Sequence, residues 1–175
     1  MVISAIAIAP GNADIIWVGH EDGQVYKTTN GTATNPVWQQ IDNTGPSPLN
    51  VGRYCTHITI DPANIDTVYV TFGGYTQGNV WQTTDGGTTW KNIGGGSLPS
   101  TPVRALAIHP GSSSLLYLGT EVGVFASEET GATWSRTNEG PNNCSVNDLF
   151  WMNRTLIAVT HGRGMFSIDL TAAAL

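Results

Sequence analysis

The chain has 175 residues and a net charge of −6, and only 11% of its residues are charged, against roughly 25% in an ordinary soluble domain. A hydrophobic content of 40% excludes a disordered chain, which needs the opposite balance, and seven basic side chains are too few for a nucleic-acid-binding surface. The 21 glycines and nine prolines indicate a turn-rich globular protein, and the length predicts one domain.

Three copies of one hairpin are predicted along the chain. In each copy, alternating apolar residues lead to a proline and a second apolar run follows it, and this period of two is typical of strands. The first strands alternate large residues with small ones, so each sheet has one bulky and one shallow face and can stack on its neighbours. The prolines are Pro10, Pro62 and Pro110, and the second runs end nine residues later, at Gly19, Thr71 and Gly119.

A third strand with an aromatic residue (Tyr26, Trp81 or Phe125) and a short fourth strand beginning at Trp38, Trp90 or Trp134 complete each unit. A fourth unit starts near Ser145 and ends at Asp169 without a last strand. Repeats of about 50 residues with four strands are the size of propeller blades. We therefore predict an all-β fold, a partial β-propeller with three four-stranded blades and one incomplete blade.

The predicted boundaries give one partial propeller domain over residues 1–171, with blades at about 3–50, 51–101, 102–142 and 143–171. Residues 172–175 are interpreted as a vector-derived tail. No leader with a basic start and a cleavage site is recognised, and no apolar run reaches the roughly 18 residues that cross a bilayer. Cys55 and Cys144 form no disulfide framework, and their spacing leaves open whether they pair.

One motif recurs at the end of the third strand. The middle blade has the pattern Ser/Thr-x-Asp-x-Gly-x-Thr-Trp at Thr83, Asp85, Gly87, Thr89 and Trp90. The third blade repeats it with glutamate, at Ser127, Glu129, Gly131, Thr133 and Trp134, and the first keeps Thr28-Thr29-Asn30-Gly31 but inserts three residues before Trp38. We call Thr28–Trp38, Thr83–Trp90 and Ser127–Trp134 the box hairpins.

On these residues the chain resembles the Asp-box (bacterial neuraminidase repeat) propeller proteins, a group that includes sialidases, xyloglucan-degrading glycoside hydrolases and sortilin-type receptors. The chemistry of the motif is structural, since Asp85 can accept backbone N–H groups, Gly87 supplies a positive φ, and Trp90 can bury a large ring between sheets. Trp38 and Trp134 are predicted to be core anchors for the same reason. The resemblance implies that the box hairpins lie away from the ligand face.

Ligands of propellers usually meet the loops between second and third strands and those between blades, and long loops on a rigid scaffold often carry function. Tyr54 and Tyr75 could stack on sugar rings, whereas Arg53 and Gln77 could hydrogen-bond hydroxyl groups. The full set of candidate ligand-binding residues is His20, Glu21, Asp22, Arg53, Tyr54, Tyr75, Gln77, Glu121, His161 and Arg163.

The leading functional hypothesis is a non-catalytic module that binds polysaccharide or glycoconjugate, with no cofactor, metal, nucleic acid or membrane. The first alternative is a glycoside hydrolase or a fragment of one. A sialidase-like enzyme would bind the carboxylate of its substrate with arginines, for which the candidates are Arg53, Arg104 and Arg163. A xyloglucanase-like enzyme would need two catalytic carboxylates, for which the candidates are Glu21, Asp22, Asp61 and Glu121. The second alternative is a protein-interaction propeller.

His57 and His109 are interpreted as structural histidines. A homodimer or a longer parent would complete the ring, and the resemblance implies an extracellular location.

Overall fold

The computed structural model describes residues 1–43, 45–49, 51–137 and 140–169, and every helix or strand assigned within those ranges is a strand. The predicted tail at 172–175 lies outside the described residues. The strands form four sheets in which neighbours in sequence pair antiparallel.

The four sheets are called blades 1 to 4, and their strands are numbered in chain order. Blade 1 contains β1 (Ile3–Ala9), β2 (Asn12–His20), β3 (Val25–Thr28) and β4 (Gln39–Gln40), and blade 2 contains β5 (Cys55–Ile60), β6 (Val68–Phe72), β7 (Val80–Thr83) and β8 (Lys91–Asn92). Blade 3 contains β9 (Val103–His109), β10 (Ser112–Thr120), β11 (Gly123–Ser127) and β12 (Ser135–Arg136). Blade 4 has only β13 (Val146–Met152), β14 (Thr155–Thr160) and β15 (Met165–Asp169).

The prediction of three four-stranded blades and one three-stranded blade is confirmed. Each fourth strand is two residues long and begins one residue after its tryptophan. The three constant hairpins predicted from the prolines are the β1–β2, β5–β6 and β9–β10 pairs.

The core lies in the gaps between blades. In the first gap, the shallow face of blade 1, with Ala5 and Ala7, packs against the buried Ile58 and Ile60 of blade 2. A second cluster joins blades 2 and 3 around Leu106, and a third joins blades 3 and 4. Alternation of large and small residues along the first strand therefore sets how the sheets stack, because a bulky face meets a shallow one in each gap.

Two glycines lie where the second strand of a blade closely approaches the start of the next blade. A Cβ atom at Gly19 would lie 2.8 Å from the Cβ of Cys55 and closer still to its Sγ, and one at Gly119 would lie 2.9 Å from Cγ1 of Val146. Thr71 takes the same place in blade 2, where its hydroxyl pairs at 2.8 Å with that of Thr56. Glycine at this place in blades 1 and 3 lets the second strand meet the start of the next blade, and in blade 2 the Thr56 hydroxyl donates to the Val103 carbonyl of blade 3.

The two cysteines are free and buried, so no disulfide joins Cys55 to Cys144. Burial raises the pKa of the Cys55 thiol to about 12. This thiol is therefore protonated at neutral pH and acts as a packing group.

His57, on β5, makes stability depend on pH. Burial lowers the pKa of His57, although the charge of Asp148 opposes that shift. In the unfolded state the histidine pKa is near 6.5. As the pH falls through about 6.5, the unfolded state therefore binds more protons than the native state, and the free energy of unfolding decreases; above that pH it is restored.

We expect denaturant unfolding to give a lower free energy of unfolding at pH 5.5 than at pH 7.5, and we expect this difference to be smaller in the His57→Gln variant. The exposed His161→Gln variant should keep the wild-type dependence, and an unchanged slope in His57→Gln would contradict this assignment.

Candidate functional site

At one edge of the blade stack lie the turns between the second and third strands of each blade. The segments that lead into the first strand of the following blade lie at the same edge. We call this edge the rim, and it comprises residues 20–25, 51–55, 72–80, 101–103, 120–123, 141–146 and 160–165. Backbone hydrogen bonds join its parts: Gly73 N–H to the Tyr54 carbonyl (2.9 Å), Glu121 N–H to that of Pro102 (3.3 Å) and His161 N–H to that of Ser145 (2.9 Å). All ten candidate ligand-binding residues lie on this edge.

Arg53 braces the longest turn of the rim. Its Nε donates to the Gly73 carbonyl (3.2 Å), and its Nη2 donates to the Gly78 carbonyl (3.2 Å) and to Oδ1 of Asn79 (2.9 Å). The buried Asn79 in turn donates from Nδ2 to the carbonyls of Gly74 (2.7 Å) and Thr101 (2.8 Å). Asn79 was not predicted from the sequence, and its place one residue before β7 is the only pattern that could have indicated it. Arg53 therefore positions the turn.

The braced turn presents aromatic side chains to solvent. Tyr75 is 74% exposed and Tyr54, on the strand entry beside it, is 46% exposed. Gln77 is also exposed. Exposed tyrosines on a rigid turn offer ring faces with a hydrogen-bonding hydroxyl at one end, which suits the stacking of a sugar.

The turn of blade 1 lies beside Arg53, because a Cβ at Gly23 would lie 2.6 Å from the Arg53 backbone nitrogen. Glu21 is exposed, and Asp22 accepts the Gln24 N–H at 3.2 Å. The His20 ring lies 5.3 Å from that of Tyr26, and its Nδ1 is buried with no hydrogen-bond partner. The structure thus brings the first seven candidates, from His20 to Gln77, to one part of the rim.

The remaining candidates, Glu121, His161 and Arg163, lie further along the rim. Arg104 forms an ion pair with Glu121, and the exposed Arg163 donates from Nη1 to the Asn142 carbonyl at 3.4 Å. His161 is exposed in the last turn. Arg53, Arg104 and Arg163 thus each bind a different protein group.

The placement of Asp61 near these loops is wrong. Asp61 lies at the β5–β6 turn, at the opposite edge of blade 2, and is 3% exposed. Its Oδ1 accepts the Ala63 N–H (2.8 Å) and the Ser113 hydroxyl (3.0 Å). Asp61 therefore joins blades 2 and 3 and cannot act in a rim site.

The box hairpins also lie at the edge opposite the rim. Asp85 accepts the Thr89 N–H (2.9 Å) and hydroxyl (2.6 Å) and the Thr83 hydroxyl (2.8 Å), while Gly87, with φ of 100°, donates its N–H to Thr83 Oγ1 (2.9 Å). Burial alone would raise the pKa of Asp85, but these hydrogen bonds outweigh it and hold the pKa at about 2. In blade 3, Ser127 accepts the Gly131 N–H (2.9 Å) and the Thr133 hydroxyl donates to Glu129 (3.3 Å).

Each buried box tryptophan bonds to the preceding blade. Trp90 donates from Nε1 to the carbonyl of Ile41 (3.3 Å), and Trp134 donates to that of Ile93 (2.7 Å). The two rings are 5% and 4% exposed. The Trp90 ring also meets Trp17 edge to face, with centroids 6.1 Å apart, so these tryptophans join neighbouring blades.

The prediction that Trp38 is a core anchor is wrong, because this ring is 42% exposed. A box tryptophan packs on the blade before its own, and no strand precedes β1 in the described residues. The first-strand residues Ile6 and Ile8 are exposed for the same reason. The same motif therefore gives a buried ring in blades 2 and 3 and an exposed one in blade 1.

No three His, Cys, Asp or Glu side chains of the described residues come together as a metal site, and no described helix is long and apolar enough to cross a membrane.

No protein-family profile matches the chain. A xyloglucanase of Acetivibrio thermocellus, Xgh74A, is 34% identical over 99 residues, which are 49% of this chain and 12% of that protein. Among solved structures, the GH74 enzyme of Niastella koreensis superposes with a TM-score of 0.71 at 17% identity, over 96% of this chain and 28% of that one. A computationally designed protein, Ika4, gives a TM-score of 0.62 at 15% identity, over 96% and 91%.

The chain is a partial β-propeller. Its relatives and structural neighbours include xyloglucan-degrading enzymes, which confirms the resemblance to the propeller group that contains them. The partial propeller is thus related in sequence to glycoside hydrolases, and the matched part spans about an eighth of the xyloglucanase.

Proposed function

We propose that the chain is a propeller module that binds polysaccharide or glycoconjugate at the rim without cleaving it. The observation that carries the proposal is the turn at residues 72–79, which Arg53 and Asn79 brace. Tyr75 is exposed on this turn, and Tyr54 is exposed on the strand entry to which Gly73 of the turn bonds. A rigid turn with two phenol rings loses little conformational entropy when a ligand binds. The similarity to xyloglucanases supports a glycan as the ligand class and the extracellular space as the place of action.

The acidic groups of the rim favour binding over hydrolysis. Hydrolysis of a glycosidic bond requires two carboxyl groups facing each other across that bond. Glu121 is paired with Arg104 and Asp22 accepts hydrogen bonds within its own turn, which leaves Glu21 as the rim carboxylate without such a bond among the described contacts.

A glycoside hydrolase, or part of one, is the second candidate because the relatives of this chain include xyloglucanases. In this reading the chain supplies one wall of a cleft, and its partner is the remainder of a larger propeller or a second copy. The exposed Ile6 and Ile8 on the first strand support such a neighbouring blade, in a homodimer or in a longer protein.

Affinity electrophoresis in gels containing soluble xyloglucan, mixed-linkage glucan or galactomannan tests the binding proposal. We expect retardation by at least one polysaccharide and a dissociation constant about tenfold higher for Tyr75→Ala, since loss of an anchoring aromatic side chain costs roughly 1–2 kcal/mol or more. Trp38→Ala is the matched control, because it removes an exposed aromatic ring at the opposite edge.

A parallel assay for released reducing sugar separates the two candidates. Retardation without release supports the module. Release that is lost in Glu21→Gln supports the hydrolase, and retardation that Tyr75→Ala and Tyr54→Ala leave unchanged would place any binding elsewhere than on this turn.

A further inference from the structure

The gap between blades 3 and 4 contains an apolar groove of about 450 Å³. Blade 3 lines it with Tyr117, Val124 and Ala126, and blade 4 lines it with Leu156, Phe166 and Ile168. These residues come from the shallow face of one blade and the bulky face of the next, as in the other two gaps.

In the other gaps the same place is filled by a box hairpin. Tyr117 in blade 3 is equivalent to Trp17 in blade 1, because each lies on a second strand and pairs with the third strand at the same register, Tyr117 with Ala126 and Trp17 with Lys27. Trp17 is the residue that the ring of Trp90 contacts in the first gap. Thr137 follows β12 directly, as Ile41 follows β4 and Ile93 follows β8. The carbonyls of those two isoleucines accept the Nε1–H of the box tryptophans.

Blade 4 has no box hairpin within the described residues. Ile168 is equivalent to Thr83, because Ile168 pairs with Leu156 in blade 4 as Thr83 pairs with Val68 in blade 2. Blade 4 therefore has an isoleucine at the first position of the box, where blades 1 to 3 have a serine or threonine. β15 pairs with β14 and with no further strand in the described part of the chain. Blade 4 thus has both the groove for a box tryptophan and the strand edge beside which its fourth strand would lie.

We propose that this groove and the β15 edge bind a box hairpin with the pattern Ser/Thr-x-Asp/Glu-x-Gly-x-Thr-Trp. The incoming segment would pair as a fourth strand with β15, in the manner of strand addition to a sheet edge. Its indole ring would fill the groove against Tyr117 and Leu156, and its Nε1–H would bond to the Thr137 carbonyl. Two occupied copies of this arrangement in the same chain, at Trp90 and Trp134, are the basis for assigning this occupant.

A fluorescein-labelled peptide with the sequence of residues 83–94 is a suitable probe, because it contains a whole box and the short strand after it. Fluorescence anisotropy should show saturable binding to the full chain. The same peptide with Trp90→Ala should bind at least about tenfold more weakly, as expected for loss of a buried anchor.

Protein variants locate the site. Ala126→Arg and Phe166→Arg each put a long charged side chain into the groove from a different blade, and each should weaken the peptide about tenfold. Ala33→Arg, in the exposed turn of the first box hairpin, is the matched control and should bind as the wild type does, and circular dichroism verifies the fold of each variant. Absence of saturable binding, equal binding of the Trp90→Ala peptide, or wild-type affinity in a folded groove variant would each overturn the proposal.

Discussion

Replacing Trp90 with alanine should lower the free energy of unfolding by about 3–5 kcal/mol, the range for truncating a buried tryptophan. The ring is 5% exposed, contacts Trp17 edge to face, and donates to the Ile41 carbonyl in the preceding blade. Its removal would open a cavity in the first gap and leave that carbonyl without its donor. Denaturant titration should show the loss, and a thermal scan should show a midpoint lower by about 10 °C.

Trp38→Ala is the control for this result, since it removes the same residue from the same motif at a site that is 42% exposed. We expect a change below about 1 kcal/mol there, as for most exposed substitutions. Equal losses in the two variants would show that Trp90 stabilises its own hairpin and not the contact between blades.

The second large effect is expected for Gly19→Ala. The added methyl group would lie 2.8 Å from the Cβ of Cys55 and even closer to its Sγ, distances that require β2 and β5 to move apart. Overpacking of this kind typically costs about 1–3 kcal/mol, and here it would separate blades 1 and 2 where their strands are closest. Denaturant unfolding of the variant measures the cost directly.

Gly95→Ala is the matched substitution, because no atom lies within 4 Å of the added Cβ there and its φ is not in the left-handed region. Its stability should equal or slightly exceed that of the wild type, since alanine reduces the entropy of the unfolded chain. A stable Gly19→Ala variant would mean that the two blades are held less closely than the structure shows.

The fold was largely predictable because its information is local and repeated. Alternation along each first strand and the constant distance from Pro10 or Pro62 to the end of the next strand are properties of short segments, and three copies reinforce one another. Because the motif is a local signal, it wrongly predicted that Trp38 is a core anchor. Whether a box tryptophan is buried depends on the blade before it, and the motif carries no information about that neighbour.

The rim was only partly predictable for the same reason. Turn positions follow from strand lengths, and the structure places the candidates from His20 to Arg163 at one edge of the sheets. The bracing of the 72–79 turn depends on Arg53, 20 or more residues distant in sequence, and on the carbonyl of Thr101 in the next blade. Asp61 was misplaced because the direction of β5 carries its last residues to the far edge.

The pairing of a bulky face with a shallow one gives the stack of blades a direction. Blade 1 presents Ile6 and Ile8 at one end, while the opposite end is the far face of blade 4, with Phe150 and Met152. A second copy that continued the stack would place its Ile6 and Ile8 against that far face, and a two-fold axis along the centre of a closed ring would make two such contacts. Such an association would run head to tail, and the rotation from one blade to the next would decide whether it closes as a ring or continues as a filament.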